Sequence, residues 1–76
     1  MKQLVEFITK SLVENPDAVS VQEENGAEGL VVKLKVASED LGRIIGQKGQ
    51  TVKAIRQLLT AAAVKTKTRV SLIVQE

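Results

Sequence analysis

The chain has 76 residues, a formal net charge of +2, no cysteine and no histidine, and Phe7 is its only aromatic residue. This excludes disulfides and Cys/His zinc sites as sources of stability, and it argues against recognition by stacking bases on aromatic rings. No apolar run approaches the ~18 residues of a membrane span, and the opening Met1-Lys2-Gln3-Leu4-Val5-Glu6 lacks the apolar stretch of a signal peptide. The expectation is a single cytosolic domain over residues 1–76, packed from Val, Ile, Leu and Ala. A domain of this size buries only about 60% of its unfolded surface, so a partner subunit would help it.

The first element is an amphipathic helix over residues 2–14, with Leu4, Val5, Ile8 and Leu12 on its apolar face. Asn15-Pro16 ends it, because the residue before proline is pushed out of the helical region. Two strands follow. Val19 and Val21 alternate with Ser20 and Gln22, and Leu30, Val32, Leu34 and Val36 alternate with Val31, Lys33 and Lys35. Asn25-Gly26, with Gly29 close behind, predicts a tight hairpin turn between them. Ser38 is placed as the cap of a short helix, with Glu39 and Asp40 at its positive end and Leu41, Ile44 and Ile45 as its apolar stripe. After Gly46 and Gly49 a longer helix runs over residues 50–64, burying Val52, Ile55, Leu58, Leu59 and Ala62. Residues 65–68 lead out of it, and Arg69 to Gln75 form the last strand, with Val70, Leu72 and Val74 inward. The order α-β-β-α-α-β predicts a two-layer α+β domain, three strands in one sheet covered on one face by three helices.

Charge is divided along the chain. Residues 1–40 hold four basic and eight acidic side chains, whereas residues 41–75 hold seven basic ones (Arg43, Lys48, Lys53, Arg56, Lys65, Lys67 and Arg69) and no acid. A half-chain without carboxylates sets up a field that a polyanion would feel. Within it, Gly46-Gln47-Lys48-Gly49 joins the two helices. Glycines free the turn in φ and clear side chains from the backbone. The first N–H groups of the following helix lack intrahelical partners and point toward the loop, where the dipole favours an anion such as phosphate. Lys48 adds a mobile charge and Gln47 neutral hydrogen bonding. Two glycines alone are a common turn. Here Ile45 precedes the first, and Val52 and Ile55 follow at helical spacing, so core residues pin the loop from both sides.

The segment Gly42-Arg43-Ile44-Ile45-Gly46-Gln47-Lys48-Gly49-Gln50-Thr51-Val52-Lys53-Ala54-Ile55 resembles the signature of KH domains: an aliphatic residue, Gly-x-x-Gly, then aliphatic residues at three-residue spacing. The element order resembles the type II arrangement, and the chain as a whole is similar to the small bacterial KhpA family. Val52 stands where isoleucine is more usual, and only one of the two central loop residues is basic. The resemblance implies a non-catalytic domain without cofactor, holding about four nucleotides of single-stranded RNA in a groove whose GXXG loop clamps their backbone. It places Gly46, Gln47, Lys48 and Gly49 on the phosphates, with Gln50 beside them at the helix start. Ile44, Ile45 and Val52 would form an apolar floor, and Arg43, Lys53 and Arg56 outer phosphate contacts. A sheet edge would form the far wall. It also implies a homodimer or a heterodimer with a Jag-type KH protein, and neither a membrane nor a small-molecule substrate.

Two other readings compete. A helix-turn-helix binder of double-stranded DNA would present Gln50, Thr51 and Lys53 from the second helix, although flanking strands and a glycine at each end of the turn fit a KH domain better. A second alternative keeps the KH fold for dimerisation or as an adaptor. An enzyme is disfavoured, since there is no histidine or cysteine, the carboxylates lie almost entirely in the acidic half and Ser and Thr have no evident base, and the loop is not a nucleotide-hydrolysing P-loop.

Overall fold

The computed structural model describes residues 1–76. Helix α1 (Lys2–Leu12) is followed by strands β1 (Ser20–Gly26) and β2 (Gly29–Lys35), helices α2 (Ser38–Ile45) and α3 (Gln50–Ala63), and strand β3 (Val70–Gln75). Single 3-10 turns lie at Pro16–Ala18, Gln47–Gly49 and Val64–Thr66. The sheet is mixed, in the order β1-β2-β3, with β1 antiparallel and β3 parallel to the central β2. The predicted α+β class and element order both hold.

Period-two alternation decides which sheet face is covered. Val21, Val32, Leu34 and Leu72 point to the helices and join Val5, Val36, Ile44, Ile55 and Leu59 in the core. Ser20, Gln22, Lys35, Ser71, Ile73 and Gln75, of opposite parity, remain exposed on the open face.

Several boundaries differ from those expected. Helix α1 stops at Leu12, two residues early, and Val13 is already extended at φ −96° and ψ 159°. Pro16 therefore opens a separate turn and does not end the helix. The helix stops early because the N–H groups of Glu14 and Asn15 bond to the Asp40 carboxylate, which draws the chain away from the α1 axis. The hairpin turn is Ala27-Glu28, not Asn25-Gly26, which remain in β1 opposite Leu30 and Gly29. Both placements keep Val21 facing inward, so alternation does not distinguish them. The pairing of β2 with β3 does. Gly29, at φ 139°, lies against the Arg69 carbonyl, and a Cβ there would stand 2.9 Å from the Arg69 Cβ. The next residue, Leu30, donates its N–H to that carbonyl at 2.8 Å. Ser38 makes no cap bond and is the first residue of α2, after Ala37. In α3 the buried positions are Ile55, Leu59 and Ala63, while Ala62 and Leu58 face solvent. In α1 Thr9 is fully buried, and Leu4 and Leu12 sit at the rim.

Candidate nucleic-acid interface

Helix α2 ends because Gly46 adopts φ 76° and ψ 175°, a region that residues other than glycine essentially never occupy. Its N–H still reaches the Gly42 carbonyl at 2.9 Å, and its own carbonyl accepts from Gly49 N–H at 3.2 Å. The loop is thus a closed single turn. Lys48 (φ 57°, ψ 26°) and Gly49 (φ 73°, ψ 14°) are both left-handed, and α3 starts at once. The two glycines are required for different reasons. A Cβ on Gly46 would lie 2.6 Å from the Thr51 Cβ and 2.8 Å from its backbone nitrogen, whereas one on Gly49 would meet nothing within 4 Å.

This geometry leaves donors free. Neither the Gln47 nor the Lys48 N–H has an acceptor within the protein. Negative φ at Gln47 followed by left-handed Lys48 is the alternation that turns successive N–H groups into an anion-binding nest. The side chains of Gln47, Lys48 and Gln50 are exposed, and the Lys48 ammonium has no carboxylate partner. An anion at the loop tip would meet two backbone donors and one unneutralised charge.

The remaining candidates separate. Lys53 is exposed and unpaired. The Arg56 Nη2 donates to the Leu72 carbonyl at 3.2 Å, tying α3 to β3 and making β3 the sheet edge beside the loop helix. Arg43 turns away from the loop. Its Nη2 lies 2.6 Å from Glu14 Oε1 and its Nε 3.8 Å from Asp40 Oδ1, so two carboxylates already hold the expected phosphate contact. Ile44 is fully buried and belongs to the core, and the apolar floor reduces to Ile45, 39% exposed, and half-buried Val52. In a helix as short as α2 the core takes one of two adjacent isoleucines and leaves the other at the surface.

Asp40 is a residue that sequence reasoning missed. It is 1% exposed, and its carboxylate accepts the N–H groups of Glu14 (3.1 Å) and Asn15 (3.0 Å) and the Asn15 side-chain amide (3.0 Å). The same amide donates to Glu39 Oε1 at 2.8 Å. Burial works to raise the Asp40 pKa, but these hydrogen bonds and the Arg43 charge outweigh it and hold the carboxyl below its ordinary value. Asp40 therefore fixes the α1–β1 junction to the helix that carries the loop. Its partners lie 25 and 26 positions away, and no local pattern signals them.

A short helix, a glycine turn with free N–H groups and a long helix, set between parallel neighbouring strands, define a KH-type domain. The family model for the KhpA/KhpB KH domain matches residues 2–74, and the chain belongs to that family. Relatives named RNA-binding protein KhpA include one from Clostridium acetobutylicum, 53% identical over 92% of this chain and 93% of the relative. Another, from Caldanaerobacter subterraneus subsp. tengcongensis, is 51% identical over the same shares. A third, from Chlamydia pneumoniae, is 42% identical over 100% of this chain and 97% of the relative. No solved structure matches.

Proposed function

We propose that the protein is a non-catalytic binder of single-stranded RNA, gripping about four nucleotides through the Gly46–Gly49 loop. The observation that carries this reading is the pair of unpartnered N–H groups of Gln47 and Lys48 beside the free Lys48 ammonium. The N–H groups and Lys48 hold phosphates, and Ile45 and Val52 give bases an apolar surface. Gln50 and Lys53 flank the path, Arg56 steadies the β3 edge as its far wall, and Arg43 acts through Glu14 and not on RNA. The names of the relatives support RNA as ligand, and no helix is long and apolar enough to cross a membrane. The role that fits is cytoplasmic, in post-transcriptional regulation or as an RNA chaperone.

A second KH subunit, either this chain or a Jag-type relative, is the protein partner we propose. Light scattering reads the homodimer; a monomer that binds RNA would remove that part of the reading.

The test of the loop is single-stranded RNA binding by the native protein and by Gln47→Asp/Lys48→Asp. The variant is expected to keep the native circular dichroism spectrum and lose binding, since two carboxylates would face the phosphates. Unchanged affinity would exclude the loop. Two or three phosphate contacts give a log–log salt slope of roughly −1.5 to −2 for single strands. Preference for double-stranded DNA in the same assay would favour the helix-turn-helix alternative.

A further inference from the structure

Resting on the reading above, we propose that single-stranded RNA longer than the loop's own tetranucleotide continues along α3 and makes a second set of phosphate contacts at Lys65, Lys67 and Arg69. The ion pairs of the protein join the N-terminal amine to Glu23, Lys33 to Glu24, and Arg43 to Glu14 and Asp40. None uses a cation that follows Arg43 in the chain. Lys48, Lys53, Arg56, Lys65, Lys67 and Arg69 are all exposed and unneutralised.

The acids on the loop's other side make the path directional. Glu14, Glu39 and Asp40 gather where the α1–β1 junction meets the start of α2, and Arg43 offsets only part of their charge. A strand leaving the loop toward α2 is repelled, and one leaving along α3 is attracted. The 14 residues of α3 span about 21 Å, roughly six nucleotides at the ~3.4 Å rise of a stacked strand and fewer if it is extended.

The distal cations stand on a fixed platform. Thr66 Oγ1 donates to the Ala63 carbonyl at 3.0 Å, Lys67 N–H to Val64 at 3.1 Å and Thr68 N–H to Ala63 at 3.3 Å. Lys67 is left-handed at φ 54°, an uncommon conformation outside glycine. Attraction to the helix dipole accounts for a lysine in the last turn. It does not account for Lys67 and Arg69, which follow that turn.

The experiment compares random-sequence single-stranded RNAs of about five and about ten nucleotides, a choice set by the stacked rise, on the native protein and on Lys65→Gln/Lys67→Asn. Asparagine is used at Lys67 because it tolerates the left-handed region, and the thermal midpoint checks the fold. Arg69→Gln serves as an independent second variant. Removing two phosphate contacts is expected to flatten the log–log salt slope of the longer RNA by about 1.4, which amounts to about 25-fold in affinity at 0.1 M salt. The shorter RNA is expected to bind both proteins alike. If the longer RNA is unaffected, or both lengths weaken equally, the second contact is wrong and the loop reading stands. If the native protein binds neither RNA, both fail.

Discussion

Gly46 and Gly49 look equivalent in the motif but are not equivalent in the structure. Alanine at Gly46 must hold φ 76° and ψ 175°, at about 1–3 kcal/mol for a residue in that region. Its Cβ also meets Thr51. The Thr51 side chain can turn aside, but its backbone nitrogen, 2.8 Å away, cannot move without shifting the first turn of α3. The steric part adds to the backbone part, and about 3 kcal/mol is a fair total. Against roughly 4–11 kcal/mol for a chain of this length, that is a large fraction. At Gly49 nothing lies within 4 Å of a new Cβ, and asparagine accepts the left-handed conformation for less than the 1–2 kcal/mol typical of other residues. With about 4–8 °C per kcal/mol for a small domain, Gly46→Ala lowers the midpoint by ~12 °C or more, and Gly49→Asn by about 5 °C or less. Thermal unfolding followed by far-UV circular dichroism measures both. Equal shifts, or a Gly46→Ala midpoint within about 3 °C of native, would refute the argument. Gly49→Asn then becomes a probe of function. It keeps the fold and puts a side chain on the backbone that the proposed loop contact leaves bare, so its RNA affinity is expected to fall.

Two further predictions concern buried polar groups. The Thr9 hydroxyl is buried without a partner, so Thr9→Val is expected to raise the unfolding free energy by about 1 kcal/mol, read as a higher urea midpoint at unchanged m-value; a loss of stability would mean that the hydroxyl is satisfied. Asp40 has a lowered native pKa, and the linkage sign follows from that direction. Its contribution to stability is complete above the ordinary carboxylate value of about 3.9 and is lost as pH falls through the lower native value. The native thermal midpoint is therefore expected to drop on acidification in that range, and Asp40→Asn to flatten the drop. Parallel pH profiles for the two proteins would contradict this assignment.

The fold was legible because its signals are local. Apolar periodicity and the paired glycines produced the six elements in order, and the Gly46–Gly49 loop lies where spacing predicted. What failed depends on distant partners. The hairpin turn lies two residues later because β3 selects the register, and alternation has the same parity either way. Arg43 is exposed as the sequence suggests, but its ion pairs with Glu14 and Asp40 have no local signal, and α1 ends early because the N–H groups of Glu14 and Asn15, beyond its last turn, find a carboxylate on α2. Ile44 and Ile45 are neighbours in a helix of eight residues, too short for periodicity to tell floor from core.

In the proposed complex the Gln47 and Lys48 N–H groups meet the RNA backbone. Amide chemical shifts followed by nuclear magnetic resonance during titration with single-stranded RNA test it at those two atoms. The largest changes are expected at Gln47, Lys48 and Gly49, with smaller ones along the first turn of α3. Changes concentrated on α1 or the open face of the sheet, with the loop amides unmoved, would contradict it.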